Sequence, residues 1–164
     1  MAEFINTIDV LGDDAVIDSI IDRTITEFKD DKLTKIGDYA FHGCTALTEV
    51  DLPNVTELKT YAFNGCTALE MADFGAVTSF SSSFTKCTSL ISLILRTPSV
   101  VTLSGGHFSD TPIASGTGYI YVPRALIEDY KVATNWSAYA DQFRALEDYT
   151  VDGTVTGELD ETKI

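Results

Sequence analysis

Apolar residues return along the middle of this chain at steps of 21 to 22 positions. Ile25, Thr26, Glu27 and Phe28 are matched by Leu47, Thr48, Glu49 and Val50, then by Leu69, Glu70, Met71 and Ala72, then by Leu90, Ile91, Ser92 and Leu93. At the end of each segment apolar residues stand two apart: Val50 and Leu52, Ala72 and Phe74, Leu93 and Leu95. That alternation predicts a short strand with one buried face. A second apolar pair follows at spacing three, as Leu33 and Ile36, Val55 and Leu58, Val77 and Phe80, and more loosely Val100 and Leu103. It reads as a turn or short helical segment. Each unit then reaches a corner, where a small residue precedes an aromatic: Ala40 and Phe41, Ala62 and Phe63, Ser83 and Phe84, with Phe108 as a worn fourth copy. Cys44, Cys66 and Cys87 follow three residues after each Phe.

A unit of about 22 residues cannot bury its own apolar face, but stacked copies can, and a period of that size is the mark of a solenoid. The array is expected over 25–123. Phe41, Cys44 and Leu47, then Phe63, Cys66 and Leu69, then Phe84, Cys87 and Leu90 become ladders through the stack. Repeat three is one residue short between Phe80 and Ser83, where a local irregularity is expected.

The flanks read differently. Over 13–22, Val16, Ile17, Ile20 and Ile21 share one helical face, with Asp13, Asp14, Asp18 and Asp22 mostly off it. This predicts an amphipathic helix that caps the first end, over 1–24. After Leu95 the pattern decays through Pro98 and Gly105-Gly106, and residues 119–122 are expected to add a last strand. Pro123 opens a helix with Leu126, Ile127, Tyr130 and Ala133 on one side. A second helix is predicted from Trp136, Tyr139, Ala140 and Phe143, and the pair forms a helical C-terminal cap over 124–147. In the tail, 148–164, Asp152-Gly153 between Thr/Val pairs is a hairpin signal.

Charge narrows the partners. The net charge is −14, and 18 of the 25 carboxylates lie in residues 1–31 and 124–164. A nucleic-acid or anionic-membrane surface needs a basic patch, so neither is expected as a partner. Acid at both ends is expected to solubilise the ends of a stack; the alternative is a cation-binding or acidic docking face. No apolar run approaches the roughly 20 residues that span a bilayer, so no membrane insertion is expected. The first residues are acidic and lack the basic-then-apolar pattern of a secretory signal, so either export does not use that route, or a leader was removed, or the chain reaches the outside as part of a particle.

Candidate chemistry is sparse. The cysteine spacings do not match the close pairs of zinc sites. Stacked at sheet spacing, equivalent cysteines fall within disulfide range, but parallel side-chain directions oppose bridging. They are expected to be small buried hydrophobes. His42 occupies a position that is Asn64 and Thr85 in the next copies, which marks exposed corner surface. Ser104, His107, Ser109 and Asp110 gather in one loop, yet neither an oriented base nor an oxyanion hole can be read there. The aspartates of the first helix lack a calcium-loop pattern. No catalytic residue, no metal site and no cofactor are therefore assigned. Tyr119, Tyr121, Tyr130, Trp136 and Tyr139 are read mainly as packing of the last strand against the helices. The alternative is that Tyr119 and Tyr121 point outward as a binding patch.

The segment 36–69, IGDYAFHGCTALTEVDLPNVTELKTYAFNGCTAL, resembles the BspA-like, treponemal-type class of leucine-rich repeats in period, Phe-x-x-Cys corner and strand pattern. The C-terminal part, from GTPIASGTGYIYV to FRALEDY, is similar to the ending of many such proteins of gut bacteria and their prophages. The resemblance implies a short right-handed leucine-rich-repeat solenoid of about four coils, with a parallel sheet and capped ends. It also implies a non-enzymatic recognition module, surface-exposed or associated with a phage tail. On a fixed frame, binding is expected where the copies differ: Thr26, Glu27, Thr48, Glu49, Glu70, Met71, Ile91 and Ser92. The expected ligand is a protein or glycan. The alternative is a purely structural component of a phage tail or larger surface assembly.

Overall fold

A computed structural model of the chain describes residues 2–5, 23–104 and 108–149. The expected helix over 13–22, the residues Gly105 to His107 of the glycine loop and the hairpin at Asp152-Gly153 lie outside the described residues. Eleven strands appear among those described: β1 (Ala2–Ile5), β2 (Ile25–Lys29), β3 (Lys35–Ile36), β4 (Glu49–Leu52), β5 (Glu57–Leu58), β6 (Met71–Phe74), β7 (Ser79–Ser81), β8 (Ser92–Leu95), β9 (Thr102–Ser104), β10 (Tyr119–Val122) and β11 (Phe143–Ala145). They form two parallel sheets. One has seven strands in the order β1-β2-β4-β6-β8-β10-β11; the other has four, β3-β5-β7-β9. Each repeat gives one strand to each sheet, and the core lies between them.

The second sheet corrects the reading of the spacing-three segments as turns or short helices. Their backbone bonds run to the next coil rather than along the segment. Thr56 N–H donates to the Thr34 carbonyl at 2.8 Å, and Thr78 N–H to the Thr56 carbonyl at 2.8 Å. Two-residue strands are too short to show alternation, so their apolar spacing imitates a helical one. In the last copy Val101 rather than Val100 is buried beside Leu103.

Register is strict in the large sheet. Phe28, Val50, Ala72, Leu93, Ile120 and Phe143 form one inward row. The Phe ladder runs behind it. Phe41 and Phe63 stack at 5.0 Å and 9° between planes, Phe63 and Phe84 at 5.6 Å and 2°, Phe84 and Phe108 at 6.3 Å and 14°. Cys44, Cys66 and Cys87 are buried thiols beside these rings. Cys66 Sγ donates to the Phe41 carbonyl and Cys87 Sγ to the Phe63 carbonyl, each at 3.1 Å. Leu47, Leu69 and Leu90 are fully buried in the same core.

The corners turn through left-handed residues, Tyr39 (φ 58), Tyr61 (φ 59) and Ser82 (φ 51). The short third corner keeps this geometry. Ser83 replaces the alanine there, and its hydroxyl donates to the carbonyls of Lys59 and Ser81. Coils approach closely at Gly75, where a Cβ would lie 2.4 Å from the Pro53 carbonyl oxygen.

The ends depart from expectation. β1 pairs in parallel with β2 and extends the sheet at its first edge, where no strand was predicted. At the other end, α1 (Pro112–Ser115) is capped by the Thr111 hydroxyl, which accepts from Ala114 N–H. A 3-10 turn (Arg124–Leu126) then leads into α2 (Ile127–Val132). The predicted second helix of the C-terminal cap is absent. Residues Ser137–Gln142 form a 3-10 turn with a kink at Tyr139, and 143–145 become β11, paired with β10. The sheet edge at β10 needs a partner, and the period-two pair Phe143 and Ala145 meets that need better than a helical stripe. Tyr130 and Trp136 seal the core from this end. Val101 N–H donates to the Tyr130 hydroxyl, and the Trp136 indole N–H donates to the Val101 carbonyl at 2.7 Å.

Candidate functional site

Pleating sends the other half of each large-sheet strand outward, in two rows. The first is Glu27, Glu49, Met71, Ser92 and Tyr119; the second is Lys29, Asp51, Asp73, Ile94, Tyr121 and Arg144. Of the eight residues expected to form a binding face, Glu27, Glu49, Met71 and Ser92 belong to the first row. Thr26, Thr48, Glu70 and Ile91 make a separate row at the strand entrances. There Thr48 N–H donates to Thr26, Glu70 N–H to Thr48 and Ile91 N–H to Glu70, carbonyl by carbonyl. Ile91 is 44% exposed, but Ser92 is only 4% exposed and is not open surface.

A groove of about 490 Å³ crosses these rows, lined by Lys29, Glu49, Met71, Asp73, Arg96, Leu146 and Tyr149. Two cations, Lys29 and Arg96, order its walls through ion pairs. Lys29 Nζ lies 2.9 Å from Glu49 and 3.8 Å from Glu27. Arg96 forks onto Asp73, with both nitrogen–oxygen distances 2.8 Å. A bidentate guanidinium–carboxylate pair fixes both side chains in one orientation. Asp51 sits between these pairs, flanked in register by Lys29 and Asp73. Its carboxylate has neither a hydrogen bond nor an ion pair among the described residues. Burial first, then the Asp73 charge, raise its pKa. Hydrogen bonding to Glu49 in turn raises the pKa of Lys29.

Tyr119 and Tyr121 leave the sheet on the side away from the main core; Tyr119 keeps part of its surface in solvent, whereas Tyr121 is buried there at 1% exposure. Ile120 and Val122 face the core in their place. The Arg144 guanidinium lies over the Tyr119 ring, 4.4 Å from its centroid. Tyr121 is covered by Tyr149, with ring centroids 4.6 Å apart. Burial pushes the Tyr121 phenol up to about 12.

Other expected positions carry no such arrangement. His42 is exposed and meets Tyr39 edge-on at 5.6 Å. Ser104, Ser109 and Asp110 are all exposed, and His107 lies outside the described residues. Cys66 is held well above the ordinary thiol range, first by its hydrogen bond with Cys44 and then by burial, and burial pushes Cys87 up to about 12. Protonated buried thiols are poor nucleophiles. Among the described residues no cluster of His, Cys, Asp or Glu side chains could hold a metal ion. No helix among them is long and apolar enough to cross a membrane.

Sequence reading missed Asp51, Asp73, Arg96 and Tyr149. Period-two alternation through Val50 and Leu52 places Asp51 outward, and it was the available signal. Nothing local marks Tyr149.

Two parallel sheets built from a 22-residue unit, with an outward face that varies along the stack, define a leucine-rich repeat. A family model described as BspA type leucine rich repeat region (6 copies) matches residues 22–122. The chain belongs to this family of BspA-type leucine-rich repeat proteins. Leucine-rich repeats of this kind are protein-interaction repeats. No curated protein matches the chain.

Proposed function

We propose that this chain is a non-enzymatic recognition module that binds a protein ligand across the outward face of its seven-stranded sheet. The observation that carries this reading is the groove. Its floor changes from coil to coil, from Glu49 to Met71, while the inward rows repeat the same apolar pattern. Large side-chain differences on a constant frame are how repeat arrays acquire distinct ligands. In this reading the stack is a short right-handed solenoid with both ends capped. Membership in the family and the resemblance of the C-terminal part support a surface-exposed or phage-tail-associated setting.

The test is a binding screen of the intact chain against immobilised surface proteins and glycans, repeated with Glu49→Gln and Glu70→Gln. A protein ligand whose capture drops with Glu49→Gln, and not with Glu57→Gln on the small sheet, is the expected result. Capture of glycans alone would redirect the reading to carbohydrate. Binding indifferent to both face substitutions would remove this face from consideration.

A further inference from the structure

Three outward residues of the large sheet are as buried as the core. Ser92 is 4% exposed, Ile94 0% and Tyr121 1%, whereas their counterparts Glu49, Asp51, Met71 and Asp73 on the two preceding strands keep part of their surface in solvent. Ile94 and Tyr121 do not belong to the contiguous core; their neighbours Leu93, Leu95, Ile120 and Val122 do. A second apolar seat therefore lies on the opposite side of the sheet.

One side chain fills it. The Tyr149 ring meets Tyr121 edge-on, at 4.6 Å and 65°. The Ser92 side chain lies close enough to the Tyr149 phenol to offset part of the rise in pKa that burial causes. Ile94, between Asp73 and Tyr121 in register, forms the floor. Tyr149 is carried there by a short strap. Glu147 accepts from Arg124 N–H at 3.0 Å, Asp148 pairs with the Arg124 guanidinium at 3.0 Å, and Tyr149 N–H donates to the Leu146 carbonyl. Exposed ion pairs of this sort hold weakly. Leu146 and Tyr149 also form one wall of the open groove, so the filled seat and the groove are continuous.

We infer that Ser92, Ile94 and Tyr121 form an anchor pocket for an aromatic side chain of a protein partner, and that Tyr149 is its intramolecular occupant, displaced when the partner binds. This rests on the reading of the sheet face as the recognition face. The chemistry follows from the seat itself. An apolar floor, an edge-on ring and a hydroxyl at the rim match a phenol, and buried aromatic anchors dominate protein interfaces. The present occupant is a polypeptide side chain, so the pocket is shaped for a residue on a chain. Competition by Tyr149 lowers the apparent affinity of any partner by the fraction of time the pocket stands open.

The probe is a capped synthetic peptide spanning residues 145–150, ALEDYT, titrated into the isotopically labelled full chain and followed by NMR. With Tyr149→Ala, the amides of Ser92, Ile94 and Tyr121 should shift saturably. Wild type should need at least about tenfold more peptide. The same peptide with its tyrosine replaced by alanine should shift neither protein. Silence of these amides in folded Tyr149→Ala, or equal response of wild type and variant, overturns the inference. If circular dichroism shows that Tyr149→Ala does not fold, the double variant Arg124→Ala, Glu147→Ala takes its place, since it removes both the Asp148 pair and the Glu147 bond of the strap and leaves the pocket residues intact. Peptide entry there supports the pocket, and no entry overturns it. The titration needs no outside partner. A positive titration with an empty binding screen would sink the recognition reading alone, and the converse would sink the pocket alone.

Discussion

Phe63 and Phe84 stack at 5.6 Å with their planes only 2° apart, although the coil joining them is one residue shorter than the coil before it. The deletion is absorbed at Ser82 and Ser83, outside the ring contact, so the ladder passes through the irregular corner unbroken. Phe63 also touches Phe41 and Phe74 and has no solvent exposure. Phe63→Ala is expected to cost about 3–5 kcal/mol, as for other buried aromatics. Urea denaturation measures it, and a loss of only a few tenths would mean that the ladder does not carry the stack.

The cysteines give a chemical test of burial. All three are fully buried, and the thiols of Cys66 and Cys87 are held above the ordinary range. Ellman's reagent should label none of them in the native chain and all three once denaturant is added. Intact mass should be the same with and without reductant; a 2 Da difference would reveal a disulfide.

Asp51 predicts an unusual pH dependence. Its folded pKa is raised above the ordinary 3.8, by burial and then by Asp73. The folded chain thus holds this proton more tightly than the unfolded chain. The resulting stabilisation is full below the unfolded value and is lost as pH rises through the folded one. Asp51→Asn should therefore stabilise the protein at pH 7, by no more than about 1 kcal/mol because solvent screens the site. The gain should shrink towards pH 3.5. Paired denaturation curves at the two pH values decide it; a variant less stable than wild type at pH 7 contradicts the argument.

Two glycines separate crowding from conformation. At Gly75 a methyl group would meet the Pro53 backbone at 2.4 Å, whereas Gly116, with φ +94, has open space around it. Gly75→Ala must push two coils apart and is expected to cost about 1–3 kcal/mol. Gly116→Ala pays only for its left-handed backbone, about 1 kcal/mol. Thermal unfolding of both variants should rank Gly75→Ala as the less stable.

The inward half of this molecule was readable in the chain because it repeats. Phe41, Phe63 and Phe84 announce their equivalence by spacing alone. The outward half was read by looking for positions that differ between copies, and that rule passes over Asp51 and Asp73, which are the same residue on neighbouring coils. Yet burial, and then the neighbouring Asp73 charge, raise the pKa of Asp51. The C-terminal end was misread for a different reason. Trp136, Tyr139, Ala140 and Phe143 suit a helix, but Phe143 and Ala145 equally suit a strand, and only the unpaired edge of β10 decides between them. Tyr149 reaches Tyr121 through tertiary packing that no local pattern encodes.

The coil-to-coil bonds recur with the same partners one unit on: Thr48 N–H to Thr26, Glu70 N–H to Thr48, Gly43 N–H to Asn64, Gly65 N–H to Thr85. Removing residues 47–68 would place Leu69 after Ala46, the same neighbour type it has now in Ala68. The reach of the molecule is thus quantised. Whole rungs can be gained or lost in the middle while the two ends, and the strap that carries Tyr149, remain untouched. A lineage could lengthen the open part of the face one strand at a time and leave its covered part unchanged.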